Sequence, residues 1–333
     1  MRLFSRVLAC TAGIVGLTLA ATGTVAAQEY PGGPVSLVVG FEPGGSDDTG
    51  ARGLQPTLEK ELGVPVVIDS RPGAAMQIAL EYAWSRPHDG QTLIWLNQQY
   101  LSAIEVTDPE VPYRTDQWTY LEMLQNDPVV VVVRADSQWQ TMDALVDDMK
   151  ARPSEVTLGL LTGSVQLLGC KRLFEGILGV SFREVPQQGG GPMRTSLVGG
   201  HLNVICTNAS ETYALGPDVK ALAVFNNAGT KLLPDAVPVN DYLKKVGKTE
   251  TVPDLGSVRG IAVPTDFVQS KPTEFKKLYD AYKAAVRSSE YRNWVETTGR
   301  AEITLDMPMD ESNERIAAYN AFFGENKQYF LGQ

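Results

Sequence analysis

The stretch GFEPGGSDD, residues 40–48, joins an apolar run to a helical pattern. The preceding run at 35–39 is mostly apolar, which predicts a buried strand. After the stretch come apolar residues whose spacing suits one face of a helix: Ala51, Leu54, Leu58 and Leu62. A strand, a glycine turn and a helix start together present free backbone N–H groups to an anion. The stretch therefore predicts one half of a carboxylate-binding site, with the second half elsewhere in the chain.

The N-terminal segment has the pattern of a secretory signal peptide. Arg2 and Arg6 give a positive start, an apolar region follows, and the small residues at 24–27 suit cleavage. The apolar region is shorter than the roughly 20 residues of a membrane-spanning helix. Lipidation at Cys10 would leave too short an apolar region before the cysteine. We therefore expect residues 1–27 to be removed and the protein to be periplasmic.

Length and charge narrow the class of the mature protein. The chain of 333 residues has a formal charge of −10, which the loss of two arginines makes more negative. Such an acidic chain without a basic patch is a poor nucleic-acid binder. No later apolar run is long enough to cross a bilayer, so we expect a soluble monomer. The length predicts two domains. We expect lobe I to comprise residues 28–128 and 265–333, and lobe II to comprise residues 129–264 with two hinge crossover strands.

Strands and helices alternate along most of the chain. Predicted strands at 35–41, 64–70 and 91–96 are separated by helical patterns, and the alternation restarts after five valines at 129–133. Repeated βαβ units predict a mostly parallel sheet flanked by helices in each lobe. A strand at 260–263 is the expected partner of the valine strand, and the pair would carry the chain between the lobes. The predicted fold class is therefore α/β with two lobes.

The helix after the opening stretch contains residues that disfavour a helix interior. Gly50, Gly53 and Pro56 predict a late start or a kink near Pro56. A carboxylate of Asp47 or Asp48 is predicted to cap the helix start and to favour it through its negative charge.

The chain offers few groups for catalysis or for a cofactor. Its two histidines, His88 and His201, lie in turn-like segments, and no serine lies in a Gly-x-Ser-x-Gly elbow. Histidines and cysteines lack the spacing of a zinc site, and Asp47-Asp48 lacks the alternating oxygen ligands of a calcium loop. The glycines at 44–53 match neither a P-loop nor a dinucleotide fingerprint. The sequence thus predicts a protein that is not an enzyme and needs no metal or cofactor.

Two cysteines, Cys170 and Cys206, remain after removal of the signal segment. In an oxidising compartment they can form a disulfide. Equally, they can stay unpaired as small buried residues, because the sequence does not show whether their Cα atoms lie close enough. Both alternatives are open at this stage.

Several polar or glycine-rich loops follow predicted strands. They lie at 43–46, 73–77, 97–99, 162–166, 187–191 and 207–208. Ligands of open α/β sheets bind beyond the carboxyl ends of strands, so these loops together favour a binding cleft more than one glycine turn does. The loops hold glycines, serines and amides rather than lysines, which suits a small anion bound by backbone N–H groups and hydroxyls.

A series of short motifs shares its order and spacing with one known family. The motifs are YP at 30–31, PGGSDD at 43–48, LGVPVV at 62–67, RPGA at 71–74, PHDGQTL at 87–93, VP at 185–186, GG at 189–190, LVGG at 197–200, ALAV at 221–224 and LPD at 233–235. The chain thereby resembles the periplasmic solute-binding proteins of tripartite tricarboxylate transporters, the Bug family, over essentially its whole mature length. The resemblance implies a two-lobed periplasmic-binding-protein fold of type II, a Venus flytrap that closes on a carboxylate and docks on a membrane permease.

The resemblance also implies which residues bind the ligand, since loops that begin helices grip carboxylates in this family. In lobe I these residues are Phe41, Gly44, Gly45, Ser46, Asp48, Ala75, Met76, Gln77 and Asn97. In lobe II they are Gly163, Ser164, Gln166, Gln187 and Thr207. Alanine at Ser46 or Ser164 is then expected to weaken binding without unfolding the protein.

Lobe II departs from the family pattern in three places. Gln166 stands near the position where many relatives have a histidine, the glutamines at 187–188 replace a Tyr-Lys pair, and Thr207 replaces an acid. The resulting wall is more neutral than usual. It predicts a ligand whose distal end is uncharged, amide-like or aromatic rather than a second carboxylate or an amine.

Two other functions fit parts of the same pattern. A ligand-sensing receptor would have the same cleft, and its closed form would contact a sensor kinase instead of a permease. An enzyme on this fold is the weaker alternative, because few acid, base or metal groups lie in the loops.

Overall fold

The computed structural model describes residues 30–187 and 189–331, so the predicted signal peptide and its Cys10 lie outside the described part. The described strands join into an 11-stranded sheet. In chain order they are β1 (Val35–Val39), β2 (Val66–Ser70), β3 (Thr92–Asn97), β4 (Trp118–Tyr120), β5 (Gln125–Arg134), β6 (Thr157–Leu161), β7 (Arg183–Gln187), β8 (Val204–Asn208), β9 (Val219–Val224), β10 (Val237–Pro238) and β11 (Gly256–Pro264).

Helices flank this sheet, as the alternating pattern predicts. They are α1 (Ser46–Leu62), α2 (Gln77–Ser85), α3 (Gln98–Thr107), α4 (Met142–Ala151), α5 (Val165–Lys171), α6 (Gly190–Val198), α7 (Ala209–Tyr213), α8 (Val239–Lys245), α9 (Thr265–Ser270), α10 (Pro272–Arg287), α11 (Ser289–Thr297), α12 (Met309–Glu325) and α13 (Gln328–Leu331). A π-helical segment, Arg172–Ile177, continues α5.

Lobe I is built on three parallel strands. β1 lies between β2 and β3, with Leu37 opposite Ile68 on one side and Leu93 on the other. Leu37 packs into one hydrophobic cluster, while Val38 packs into another on the opposite face. A strand covered on both faces has no side that favours polar residues. This burial explains why the strand before the opening stretch is apolar along most of its length.

Lobe II contains a second parallel set, formed by β7, β6 and β8. The valine run at 129–133 belongs to β5 and pairs antiparallel with β8 on one side and β9 on the other. Val130 and Val132 pack into one cluster, and the other three valines pack into a second. The predicted strand with two buried faces is therefore present.

Two long strands, β11 and β5, lie between the two parallel sets in the sheet, but their pairing differs from the prediction. β5 and β11 run antiparallel, with Gly256 opposite Pro128. β11 thus pairs with the part of β5 that precedes the valines, and its residues 260–262 pair with β3. The predicted pairing of 260–263 with the valine run is wrong. The valines are already flanked by β8 and β9, which leaves them no free edge for β11.

Helix α1 begins before the two aspartates that were predicted to cap it. It starts at Ser46 with Gly45 as N-cap, and no side chain caps it, so the predicted cap by Asp47 or Asp48 is wrong. Both aspartates already lie inside the first turn, two and three positions after the N-cap Gly45. Asp48 instead accepts hydrogen bonds from the N–H of Gly44 and from Arg52, each at 2.9 Å.

The helix-breaking residues of α1 neither delay nor interrupt it. The helix runs unbroken from Ser46 to Leu62. Pro56 is exposed, so water can bond the carbonyl that its missing N–H leaves free. Gly50 and Gly53 allow the helix to pack closely against two tryptophans. A Cβ at these positions would overlap the indoles of Trp95 and Trp294, respectively. Close tertiary contact therefore overrides a poor helix propensity.

Cys170 of α5 and Cys206 of β8 form a disulfide, which decides between the two alternatives that the sequence leaves open. Their Cα atoms lie 6.7 Å apart, and both residues are fully buried. The bond ties α5 to a central strand of lobe II and so fixes the helix whose start faces lobe I.

Candidate functional site

A cavity of about 860 Å³ lies where the carboxyl ends of strands from both lobes meet. Gly40, Asn97, Leu161 and Asn208, at or just after the ends of β1, β3, β6 and β8, all line it. A larger crevice of about 1160 Å³ lies between α12 and the segment 251–255, away from these strand ends. Because ligands of α/β sheets bind beyond the carboxyl ends of strands, the first cavity is the candidate site. It is called the cleft below.

The opening stretch forms one wall of the cleft. Gly44 has a left-handed backbone, with φ of 86°, which turns the chain into α1. The amide N–H groups of Ser46, Asp47 and Asp48 donate no hydrogen bond to another residue that the structure describes. Amides at a helix start lack intrahelical acceptors, and their partial positive charge favours an anion. This wall therefore has the chemistry that the sequence predicts for it.

The loop before α2 has an unusual backbone. Ala74, Ala75 and Met76 all have positive φ, between 46° and 77°. Such conformations cost a residue other than glycine on the order of 1–3 kcal/mol, and they concentrate at functional sites. The loop lines the cleft, with Gln77 at its end. The strained backbone thus lies where it can contact a ligand.

The start of α5 faces this wall from lobe II. Ser164 caps the helix, since its hydroxyl accepts the N–H of Leu167 at 3.1 Å and donates to the carbonyl of Leu161 at 2.6 Å. The N–H of Val165 donates to the side chain of Gln99, from lobe I, at 2.8 Å. Fewer amides are therefore free here than at α1, and Gln99 forms a polar bridge between the lobes.

A buried amide network extends from this bridge across the floor of the cleft. Gln99 donates to Asn97 at 3.2 Å and to Ser257 at 2.8 Å. Asn208 donates to Ser257 at 3.0 Å and accepts a hydrogen bond from Gln166 at 2.6 Å. The Oε1 of Gln166 has no partner among the described residues. A buried acceptor without a partner favours a hydrogen-bond donor on the molecule that fills the cleft.

Three buried charged side chains lie beside this network. Arg259 of β11 keeps 3% of its surface exposed, with its Nε 3.4 Å from Asp47 and its Nη1 4.0 Å from Asp127. Burial raises the pKa of both aspartates above the usual range, and Arg259 offsets this only in part. Burial also opposes the charge of Arg259, but the two carboxylates outweigh it and raise the pKa of the guanidinium. Arg259 and Asp47 both line the cleft.

A second charged pair lies in the wall formed by lobe II. Arg194 of α6 and Glu211 of α7 are hydrogen-bonded to each other, and both line the cleft. Thr207 donates to Glu211 at 3.0 Å. The wall is therefore less neutral than the threonine at position 207 alone predicts, because the next helix supplies an acid.

The predicted site residues fall into two groups. Those that line the cleft are Phe41, Gly44, Gly45, Ser46, Ala75, Met76, Gln77, Asn97, Gly163, Gln166 and Gln187. Asp48, Ser164 and Thr207 do not line it. Asp48 accepts hydrogen bonds from Gly44 and Arg52. Ser164 caps α5, and the hydroxyl of Thr207 donates a hydrogen bond to Glu211. Their polar atoms are engaged with protein groups next to the wall.

Sequence reasoning missed polar residues at the floor of the cleft. The cleft is lined by Gln99, Tyr100, Asn208, Ser257 and Arg259, among others. Ser257 and Arg259 lie in β11, a strand whose other residues are small or apolar. A charge inside a buried strand is costly unless a partner compensates it. Polar residues inside this otherwise apolar strand were the sequence signal that could have identified the floor of the cleft.

The groups considered for catalysis lie away from the cleft. Nδ1 of His88 is 2.7 Å from Asp266, and neither His88 nor His201 lines the cavity. Within residues 30–187 and 189–331, no group of three or more His, Cys, Asp or Glu side chains could hold a metal ion. In the same part of the chain, no helix is long and apolar enough to cross a membrane.

Known proteins are similar in sequence to this chain over most of its length. A family model described as "Tripartite tricarboxylate transporter family receptor", TctC, matches residues 51–310. Protein BugT of Bordetella pertussis is 31% identical over 232 residues, which are 68% of this chain and 71% of BugT. A UPF0065 protein of Cupriavidus necator is 29% identical over 298 residues, or 84% of each chain.

Solved structures share the fold. A TctC solute-binding protein from Polaromonas matches with a TM-score of 0.71 and 22% identity, over 91% of this chain and all of its own. MatC from Rhodopseudomonas palustris with bound malate matches with 0.72 and 22%, over 90% of this chain and 100% of MatC. Rpa4515 of R. palustris with adipate matches with 0.73 and 22%, over 91% and 98%. The predicted two-lobed periplasmic-binding-protein fold is thereby confirmed, and the chain belongs to the family of tripartite tricarboxylate transporter receptors.

Proposed function

We propose that this protein captures a small organic acid in the cleft and delivers it to a membrane transporter of the tripartite tricarboxylate type. The observation that carries the proposal is the start of α1, where three adjacent amide N–H groups have no partner in the described chain. A helix start of this kind binds an anion without a lysine, so an acidic protein can still take up a carboxylate. The family, and relatives whose structures hold malate and adipate, support a carboxylate ligand.

Closure around the ligand would be a hinge motion between the lobes. We place lobe I at residues 28–128 and 265–333 and lobe II at residues 129–264, with β5 and β11 as the hinge strands. In support, β5 changes its partner from β11 to β8 between Pro128 and Val129. Rotation there would bring the starts of α1 and α5 together on the ligand and exclude water.

We infer that the protein acts in the periplasm, as a monomer, after removal of residues 1–27. The leader pattern supports secretion, and the disulfide between Cys170 and Cys206 suits an oxidising compartment. A related solved structure is described as the periplasmic binding protein BugD. The family and the structural relatives are solute-binding receptors, which supports transport rather than catalysis.

The ligand is proposed to carry one carboxylate and an uncharged distal end. Gln166 presents an amide to the cleft, and the acids Asp47 and Glu211 also line it. A second carboxylate placed at the opposite wall, near Glu211, would be repelled. An amide or aromatic end would instead meet hydrogen-bonding groups or the paired rings of Phe41 and Tyr100, whose centroids lie 5.0 Å apart.

Thermal unfolding of residues 28–333 with added carboxylates tests this function. The panel contains acetate, hexanoate, benzoate, malate, adipate and citrate, with hexanamide and benzamide as uncharged controls. A ligand at 100 times its dissociation constant stabilises the folded state by about 2.7 kcal/mol. We expect a monocarboxylate to raise the Tm and its carboxamide to leave it unchanged. Failure of every carboxylate to shift the Tm contradicts the function, whereas a dominant response to citrate, malate or adipate contradicts the uncharged distal end.

A further inference from the structure

Arg259 is a buried cation, and two of its three side-chain nitrogens have no hydrogen-bond partner among the described residues. A guanidinium has five N–H donors. Its Nε and Nη1 are fully buried and have no hydrogen-bond partner among the described residues. Leaving a buried donor unsatisfied costs about 1–3 kcal/mol, and more for a charged group. The arrangement therefore calls for an acceptor that the described chain does not provide.

The flanking aspartates attract the guanidinium of Arg259 by their charge but leave its Nε and Nη1 without close hydrogen-bond acceptors. Asp47 lies 3.4 Å from Nε and Asp127 lies 4.0 Å from Nη1, and both distances exceed the roughly 2.7–2.9 Å of a strong charge-assisted hydrogen bond. Asp127 already accepts hydrogen bonds from the backbone and the hydroxyl of Ser210, and Asp47 accepts one from Asn97 at 3.4 Å. The guanidinium is thus charged and positioned, while its Nε and Nη1 lack hydrogen-bond partners among the described residues.

The position of Arg259 connects it to the helix start that carries the proposed function. Arg259 and Asp47 both line the cleft. Asp47 belongs to the first turn of α1, where the amides are unpaired. Arg259 itself lies on the crossover strand β11, opposite Asn97 of β3 and Gln125 of β5. A single ligand held at the start of α1 would therefore lie beside the guanidinium.

We propose that Arg259 binds the carboxylate of the ligand at the floor of the cleft, and that Asp47 and Asp127 hold the guanidinium in place when the cleft is empty. The proposal rests on the proposed carboxylate-binding function and adds the cation to it. A carboxylate matches a guanidinium through two parallel N–H···O hydrogen bonds. It supplies the acceptors that the two aspartates do not.

The same cluster limits the ligand to one carboxylate. The cations that line the cleft in the described chain are Arg194 and Arg259, and Arg194 is already paired with Glu211. Both acidic side chains beside Arg259 leave no further cation there. A second ligand carboxylate would therefore find no unpaired cation. The class of ligand that fits is therefore a monocarboxylate.

Two variants separate a binding role from a structural one. Arg259→Lys keeps the charge and loses the planar fork of donors. The double variant Asp47→Asn/Arg259→Gln removes one charge of each sign, so the local balance of charge is unchanged. Arg287→Gln is the control, because Arg287 pairs with Glu122 at 3.2 Å and Asp306 at 2.9 Å and does not line the cleft.

Calorimetric titration compares the carboxylate that shifts the Tm most, among the six named above, with its own carboxamide. We expect the preference for carboxylate over carboxamide to shrink at least tenfold in both Arg259 variants and to stay unchanged in Arg287→Gln. A folded Arg259 variant that keeps the wild-type preference overturns the proposal, since it shows a merely structural arginine. If no carboxylate shifts the wild-type Tm, the proposed function fails first and this proposal fails with it.

A measurement on the wild-type protein covers the case in which neither variant folds. In ¹H–¹⁵N spectra, saturation with the same carboxylate should move the Nε–H resonance of Arg259, and the carboxamide should leave it in place. The Nε–H resonance of Arg287 is the internal reference and should not move. An Arg259 resonance that stays unchanged at saturation overturns the proposal.

Discussion

Two adjacent aspartates at the start of α1 differ in their electrostatics. Asp47 lies in the buried cluster with Arg259, and burial raises its pKa. Burial also acts on Asp48, but hydrogen bonds from Arg52 and from the N–H of Gly44 outweigh it and lower the pKa of Asp48. Neighbours in sequence therefore contribute to stability with opposite dependence on pH.

Removal of the Asp47 carboxyl is expected to change how stability depends on pH. In the unfolded chain this carboxyl ionises near pH 4. In the folded chain it keeps its proton to a higher pH. The free energy of unfolding therefore falls as the pH rises from the unfolded pKa, near 4, through the raised pKa of the folded protein. Asp47→Asn lacks this fall. Urea denaturation between about pH 3.5 and 7 should show the stability of the variant, relative to wild type, increasing with pH.

Asp48→Asn is the matched control of opposite sign. The folded Asp48 ionises below the unfolded value, so its contribution is present above about pH 4 and is lost as the pH falls. This variant should be less stable than wild type at neutral pH and should approach wild type in acid. Equal pH slopes for the two variants would contradict the assigned pKa directions.

Ser164 and Ser46 are expected to separate stability from binding. Ser164 caps α5 and does not line the cleft. Ser164→Ala should therefore lower the free energy of unfolding by about 1 kcal/mol in urea denaturation. Ser46 lines the cleft and caps no helix, so Ser46→Ala should weaken ligand binding and change stability by less than about 0.5 kcal/mol. The opposite pattern would place Ser164, and not Ser46, at the ligand.

At the scale of the element, α1 shows how packing overrides local propensity. Its glycines and its proline all disfavour a helix interior. The helix forms without a break because it packs under Trp95 and Trp294 at the positions of Gly50 and Gly53. The two glycines that weaken the isolated helix are therefore the residues that allow it to approach its neighbours.

Gly53→Ala is expected to destabilise the protein although alanine favours a helix. The added Cβ would overlap the indole of Trp294. Overpacking costs typically about 1–3 kcal/mol, against a gain in helix propensity of about 1 kcal/mol. Gly324→Ala in α12 is the matched control, because no atom lies within 4 Å of its Cβ position. It should gain up to about 1 kcal/mol, and equal shifts of the two variants in thermal denaturation would contradict the packing explanation.

At the scale of the whole molecule, the lobes meet at more places than the crossover strands. Gln99 of lobe I accepts the N–H of Val165 of lobe II at 2.8 Å. The C-terminal helix α13 packs against both α3 and α5. Its Phe330 lines the cleft and stacks on Phe323, with ring centroids 5.4 Å apart. Helix α13 therefore contacts elements of both lobes beside the cleft.

Removal of residues 328–333 is expected to speed ligand release. Without α13 the lobes lose a contact that lies next to the cleft, so the closed form should open faster. Stopped-flow measurements with the carboxylate that binds best should show a larger koff and a smaller change in kon. Phe330→Ala is the point-variant control and should show part of the effect. An unchanged koff in both proteins would contradict this role for the C-terminal helix.

The sequence by itself determined the features that depend on neighbouring residues. The valine run at 129–133 predicted a strand buried on both faces, and the glycines at 44–45 predicted a turn into a helix start. Motif order predicted the family, and the loops after strands predicted most of the residues that line the cleft. These signals are local, because strand and helix periodicity and turn chemistry act over a few residues.

Only the tertiary structure decided the floor of the cleft, the register of the crossover strands and the disulfide. Arg259 meets Asp47 and Asp127 because β11, which is distant in the chain from both β3 and β5, inserts between them. Cys170 and Cys206 pair because folding brings their Cα atoms to 6.7 Å. Charge pairing, burial and bond formation depend on distance in space, which the spacing of residues along the chain does not contain.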